Sequence, residues 1–192
     1  MVEARGLLMV ECGYDVVICV AVAPVFLGGA GMKAVAAIAL GSNLVSSFGD
    51  REANLIEAVR LIRPLGEVTA VSSFYDTEPV GYLDQPIFLN AALLLETELE
   101  PLTLLRELLM VEKAMGRDRS ITVAKGPRVI DLDLLFYVGS DGHQLVMNSE
   151  ELVLPHPEMQ GRRFVLEPLA EIAPGMVHPM LKLTVREMLD RL

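Results

Sequence analysis

The sequence predicts an α+β domain of ferredoxin-like topology: an antiparallel sheet in β-α-β-β-α-β order, helices on one face, and C-terminal additions. Three observations carry this. Strand-like and helix-like runs follow one another in the split β-α-β order. The helical runs place apolar residues at three- and four-residue spacing, whereas the strand runs are short, apolar and bounded by turn residues. The 192 residues are 52% hydrophobic with 5% aromatic and no Trp, enough for one core built from aliphatic side chains.

Each element has its own signal. Residues 33–40 form an apolar run ending at Gly41-Ser42-Asn43, a buried strand followed by a turn. A helix is expected over 50–62, with Asp50 as N-cap and Ala53, Leu55, Ile56, Ala58, Val59 and Ile62 at helical spacing. Pro64-Leu65-Gly66 ends it. Residues 67–75, rich in Val, Ser and Thr, suit one strand. Residues 77–86 hold two prolines and a glycine and read as a loop of defined shape. Residues 88–97 form the next strand. Glu100-Pro101 opens a helix, since proline is tolerated at the first helical position; Leu102, Leu105, Leu108, Leu109 and Glu112 fall at its spacing, and Gly116 ends it. A polar loop over 117–127 precedes the last strand. Beyond Leu152 five prolines make the chain less regular, until a terminal helix over 184–192.

The net charge of −10 argues against a nucleic-acid surface, which needs a basic footprint. Cys12 and Cys19 make neither a zinc site nor a disulfide framework, so a reduced, cytoplasmic protein is expected. Residues 16–32 carry no charge, but at 17 residues they are short for a membrane span of about 20. Glu3, Glu11 and Asp15 outweigh Arg5, unlike the positive leader of a secretory signal. Met32 is the expected natural start, with 1–31 an extension that is disordered or a start-site artefact and 32–192 the folded domain. A membrane anchor is the alternative for that segment; no membrane partner is expected for the domain.

The chemistry concentrates in Gly126-Pro127-Arg128-Val129-Ile130-Asp131-Leu132-Asp133-Leu134-Leu135-Phe136. Residues i and i+2 of a strand share a face roughly 6.5–7 Å apart, so Asp131 and Asp133 stand side by side with Val129 and Leu135. Ile130, Leu132, Leu134 and Phe136 occupy the other face. Two neighbouring anions repel unless a cation joins them, and oxygen-only ligation suits magnesium, which takes one or two carboxylates and completes its shell with phosphate and water. Lys113, Arg117, Arg119, Lys125 and Arg128 lie close by and suit a polyphosphate. The bland alternatives are a solvated helix end for that cluster and a salt bridge from Arg128 to Asp131 or Asp133.

At this point the chain resembles the 6-hydroxymethyl-7,8-dihydropterin pyrophosphokinases of folate biosynthesis. The carrying motifs are Ala39-Leu40-Gly41-Ser42-Asn43-Leu44, Ser72-Ser73-Phe74-Tyr75, Asp84-Gln85-Pro86 with Phe88-Leu89-Asn90-Ala91, Gly116-Arg117-Asp118-Arg119, Gly126-Pro127-Arg128 with Asp131-Leu132-Asp133, and Pro155-His156-Pro157 with Arg162 and Phe164. The resemblance implies transfer of the β,γ-diphosphate of ATP to the pterin's hydroxymethyl group, giving AMP and the pterin diphosphate. It implies two Mg²⁺ ions on Asp131 and Asp133, with Arg119 and Arg128 joining them in catalysis. ATP contacts are implied for Glu112, Arg117, Arg119, Lys125, Arg128, Leu134, His156 and Arg162. For the pterin it implies stacking on Phe88 and Phe164, edge hydrogen bonds from Asn90, and backbone groups at Thr77, Glu78 and Val80. ATP and the pterin are the only partners implied, and a monomer is expected. Lids are expected over 42–49, 77–85 and 120–125.

The sequence departs from many members. Ala124-Lys125 stands where they carry an Arg-aromatic pair, Glu151 where some have a basic contact, and Val153 where some have a hydroxyl. Two other readings remain open at this stage: a nucleotidyl- or glycosyl-transferase using Asp-x-Asp with a metal, and a non-enzymatic nucleotide-binding module.

Overall fold

A computed structural model describes residues 33–117 and 126–192. The expectations for 1–31 and for the loop over 118–125 lie outside the described residues. The chain runs β1 (Ala34–Ser42), α1 (Arg51–Ile62), β2 (Glu67–Val71), β3 (Tyr75–Thr77), β4 (Phe88–Thr97), α2 (Pro101–Ala114), β5 (Asp131–Val138), β6 (Met147–Asn148), β7 (Val153–Leu154), α3 (Arg163–Ile172) and α4 (Val185–Leu189). The main sheet has the order β2-β4-β1-β5, with β3 also on β4, and each of these pairings is antiparallel. This is the strand order of the split β-α-β unit. β6 and β7 form a separate two-stranded sheet.

The helix signals hold at their ends. The Asp50 side chain accepts from the Ala53 backbone N–H, and Pro101 sits in the first turn of α2. Thr184 and Glu187 close a capping box on α4. In α1 the buried positions are Asn54, Leu55, Ala58, Val59 and Ile62. The buried face of α2 is Leu104, Leu108, Val111 and Glu112, one position round from the expected stripe; Leu102 and Leu105 are only partly buried.

Three local expectations are corrected. First, residues 67–75 are two strand pieces. Ser72 interrupts them: its Oγ takes the Ala92 N–H at 2.9 Å, and its own N–H bonds to the Ala92 carbonyl at 2.9 Å. Second, α3 forms over a segment read as irregular. Pro168 lies inside it and cannot donate a helical hydrogen bond, yet Val165, Leu166, Leu169 and Ala170 bury one face, and that burial outweighs the lost bond. Third, Phe136 is not on the Leu132 face. Ala37 pairs with Phe136 and Ile38 with Leu134, so Leu135 is the extra residue of a β-bulge. Alternation resets there, and Leu135 and Phe136 both turn to the face covered by α3 and α4.

Helices therefore cover both faces. One core cluster lies under α1 and α2, through Ile38, Leu40, Leu93, Leu95, Leu132 and Leu134. A second lies under the C-terminal additions, through Ala37, Ala92, Leu94, Phe136, Leu166 and Leu169. This explains why β4 is buried at nearly every position on both faces. Among the described residues no helix is long and apolar enough to cross a membrane.

Gly66 joins the first helical layer to β2 under a close backbone approach. A Cβ there would stand 2.2 Å from the Glu96 carbonyl oxygen. Gly66→Ala is expected to destabilise the fold by about 1–3 kcal/mol, the usual cost of overpacking, as a lower urea midpoint at unchanged m-value.

Candidate functional site

A row of residues crosses the sheet on the α3 side. Cross-strand pairing aligns Asp131 of β5 with Gly41 of β1, Gly41 with Asn90 of β4, and Asn90 with Tyr75 of β3. Gly41 lets its neighbours lean together: a Cβ at this position would lie 2.8 Å from Asn90 Oδ1 and 3.9 Å from Phe88 Cδ1. Asp133 lies opposite Ala39, another small residue. The cavity opens above these small residues, and Asp131 and Asp133 line it. Thr77, Glu78 and Val80 line it from the end of β3 onwards, Arg162 and Phe164 from the start of α3, and Phe88 and Asn90 from β4. The predicted pterin residues and the acid pair thus share one cavity.

The acid pair is not symmetric. Asp131 is held by Arg117 Nη1 at one oxygen and by Arg128 Nη2 at the other, the latter at 2.9 Å. Arg117 also donates to Glu112 Oε1 at 2.5 Å, and the same oxygen takes the Leu132 N–H at 2.8 Å. Glu112 is 1% exposed. Its place is therefore beneath the site, locking α2 to β5 and aiming Arg117. Although burial opposes it, Asp131 and Glu112 hold the Arg117 guanidinium above its ordinary value. Burial outweighs the nearby acids at Arg128 and lowers its value. Burial, and then Asp131 beside it, raise the Asp133 carboxyl above the usual range, against His156, Arg162 and Arg128.

His156 Nδ1 accepts from the Glu158 N–H at 3.2 Å, and the His156 backbone N–H donates to the carbonyl of the bulged Leu135 at 2.9 Å. Burial lowers the His156 imidazole, with Asp133 opposing. Arg162 pairs with Glu158, and its guanidinium lies 5.7 Å from the Phe164 ring centre. Arg128 sits 4.8 Å from the centre of the Phe88 ring, a cation–π distance. The Leu134 side chain is in the core under α1 and α2, on the face away from Asp133, so only its backbone is placed to meet a ligand. Arg119 and Lys125 lie outside the described residues. Of the departures, Glu151 pairs with Arg106 at 2.9 Å, an exposed ion pair, and Val153 is an exposed residue of β7.

One residue of the site had no role in the sequence reading. Asn43 is buried, and its amide donates to Gln85 Oε1 and to the Pro86 carbonyl, both at 3.0 Å. Its Oδ1 takes the Arg128 N–H at 2.8 Å, and its own N–H reaches the Arg128 carbonyl at 3.1 Å. It clamps the loop before Phe88 to the segment that carries Arg128. Its place in the Gly41-Ser42-Asn43 turn was the available signal, but the two distant partners were not visible there.

The residues fit a magnesium–triphosphate ligand. Among the described residues, Nε–H of Arg117 and of Arg128 are buried without an acceptor, a costly state that an anion relieves. No group of three or more His, Cys, Asp or Glu among the described residues is placed to hold a metal. Two carboxylates alone leave the remaining positions to phosphate and water, as magnesium prefers.

The fold and site define an α+β domain with an acid pair, arginines and two aromatic rings on one cavity. A family model described as 7,8-dihydro-6-hydroxymethylpterin-pyrophosphokinase (HPPK) matches residues 37–174. The chain is 46% identical over 143 residues to the 2-amino-4-hydroxy-6-hydroxymethyldihydropteridine pyrophosphokinase of Bacillus subtilis, covering 73% of this chain and 79% of that one. The corresponding Methylorubrum extorquens protein is 45% identical, covering 81% of this chain and 91% of that one. The chain belongs to the 7,8-dihydro-6-hydroxymethylpterin-pyrophosphokinase family. It spans only 20% of the folic acid synthesis proteins of Schizosaccharomyces pombe and Pneumocystis carinii, at 39% identity over 82% and 81% of this chain. In fold it is similar to the crystal structure of Plasmodium falciparum HPPK-DHPS wild type with pteroate, with a TM-score of 0.63 at 16% identity, covering 83% of this chain and 44% of that one.

The raised Asp133 carboxyl makes a stability prediction. A carboxyl whose folded value lies above its unfolded one destabilises the fold as pH rises through that interval, because the folded state holds the proton more tightly. Metal-free Asp133→Asn is therefore expected to be more stable than the unaltered chain near neutral pH. The difference should shrink as pH falls towards about 4, the ordinary carboxylate value. Urea unfolding across pH reads this directly.

Proposed function

We propose that the chain catalyses diphosphate transfer from ATP to 6-hydroxymethyl-7,8-dihydropterin, a step of folate biosynthesis. The pterin hydroxyl oxygen bonds to the β-phosphorus and loses its proton to solvent, the bond from the β-phosphorus to the oxygen bridging to the α-phosphate breaks, and AMP leaves with that oxygen. One observation carries the reading: the acid pair and the Phe88, Asn90 and Phe164 group line the same cavity. An Asp-x-Asp transferase of another kind leaves the aromatic pair and Asn90 without a role.

Phosphoryl-type transfer asks the protein for position and charge rather than covalent chemistry. Asp131 and Asp133 are proposed to hold two Mg²⁺ ions, which supply charge neutralisation at the phosphates when bound. Phe88 and Phe164 offer apolar faces to the flat heterocycle. Asn90 Nδ2 donates to Thr77 Oγ1 at 2.6 Å, which orients the amide. Its oxygen leans over Gly41 and is available as an acceptor for the pterin edge. Arg117 and Arg128 neutralise Asp131 before the substrates arrive, and their buried Nε–H groups would serve phosphate oxygens afterwards. Glu112 keeps Arg117 in position. His156 and Arg162 border Asp133 and suit the far end of the triphosphate. The same reading has Arg119 and Lys125 supplying further cations, and the chain acting as a cytoplasmic monomer.

The experiment is nucleotide analysis after incubation with ATP, Mg²⁺ and the pterin. AMP is expected, and only when all three are present; ADP as product would refute the reading. Asp131→Asn and Asp133→Asn are each expected to lower turnover by at least about 10³-fold, the scale set by losing a metal or charge-stabilising group, while circular dichroism stays unchanged. Full turnover in either variant contradicts the metal role.

A further inference from the structure

The Ser72-Ser73-Phe74-Tyr75 segment has no part in the reading above, yet it is tied across the fold to one carboxylate. Glu171, in the last turn of α3, accepts from the Ser73 N–H at 3.1 Å through Oε1 and 3.0 Å through Oε2. It also takes the Ser73 hydroxyl at 3.0 Å and the Tyr75 hydroxyl at 2.8 Å. Burial, then the bond to Glu171, push the Tyr75 hydroxyl up to about 12, so it stays a donor.

What this carboxylate anchors matters. β3 is three residues long and pairs only with β4 among the described strands. Ser73 is exposed and Tyr75 half-buried, so apolar burial does little to hold the strand. An edge piece of this length frays unless pinned. Arg51 grips it from the α1 side, through Asp76 at 2.7 Å. Glu171 grips it from α3. One residue beyond β3 begins the wall formed by Glu78 and Val80, and Thr77 at its end orients Asn90. Phe164, which also lines the cavity, is on the same α3 that carries Glu171.

We propose that Glu171 is a positioning residue for the pterin: by pinning β3 to α3, it sets the spacing between the Thr77–Val80 wall and Phe164. The inference rests on the functional reading above. It also explains why Ser73 and Tyr75 accompany the site motifs although neither lines the cavity.

The test is calorimetric binding to the full chain of a non-hydrolysable ATP analogue with Mg²⁺, and then of 6-hydroxymethyl-7,8-dihydropterin to that complex. Glu171→Ala is expected to weaken pterin binding about tenfold, the order set by losing hydrogen bonds to a charged acceptor. Its nucleotide affinity should stay within about twofold, since the phosphate end shares no partner with Glu171. Glu171→Gln should bind the pterin like the unaltered chain, because an amide keeps an acceptor for Ser73 and can donate to the Tyr75 oxygen. Tyr75→Phe, which removes one hydroxyl, should fall between them and serves if Glu171→Ala does not fold. Unchanged pterin affinity in Glu171→Ala and Tyr75→Phe overturns the inference. So does a parallel loss of pterin and nucleotide binding that tracks the melting temperature. An unaltered chain that binds the nucleotide but no pterin overturns the functional reading itself, and this inference with it.

Discussion

The structure depends on two carboxylates held on one face of β5. At adjacent positions of that face they repel, and burial of Asp133 adds to the cost. The surroundings answer with cations: Arg117 and Arg128 on Asp131, and Arg162 near Asp133, with the His156 imidazole beside it. Arg117 and Arg128 are themselves half-buried, and among the described residues their Nε–H groups find no acceptor. Such an arrangement is poor as a stability device, because buried ion pairs seldom repay their desolvation. Under the proposed function, the arginines would pass from carboxylate to phosphate.

The rest of the fold serves this placement. Gly41 and Ala39 leave room beside the carboxylates, the bulge at Leu135 presents its carbonyl to His156, and Glu112 ties α2 beneath the pair. Asn43 connects the Arg128 segment to the Gln85–Pro86 loop. The C-terminal layer closes the cavity with Arg162 and Phe164 and covers the second face of the sheet. The site therefore draws on β1, β3, β4, β5 and α3, although its chemistry was concentrated in a few residues of one strand.

Much of this was legible before the structure. The order of elements, the Asp50 cap, the Pro101 start, the extent of β4 and the shared face of Asp131 and Asp133 follow from local rules of period and turn chemistry. Phe88, Asn90, Phe164 and the acid pair do converge. What local rules missed involves a choice between local and distant partners. Phe136 was placed on the wrong face because a bulge is decided by the neighbouring strand. The α3 helix was hidden by Pro168, whose penalty is outweighed by burial on a sheet face. Ser72 divides a strand by bonding to Ala92, twenty residues away. The bland alternative for Arg128, a salt bridge to Asp131, is what the structure shows, and Arg117 joins it; Arg128 nonetheless lines the cavity.

The most direct measurement is the anomalous scattering of crystals grown with Mn²⁺, a non-hydrolysable ATP analogue and the pterin. Anomalous peaks are expected within ligating distance of carboxylate oxygens of both Asp131 and Asp133, with nucleotide oxygens completing the shell and the pterin ring between Phe88 and Phe164. Ordered nucleotide and pterin with both aspartates still bonded only to protein groups would contradict this placement.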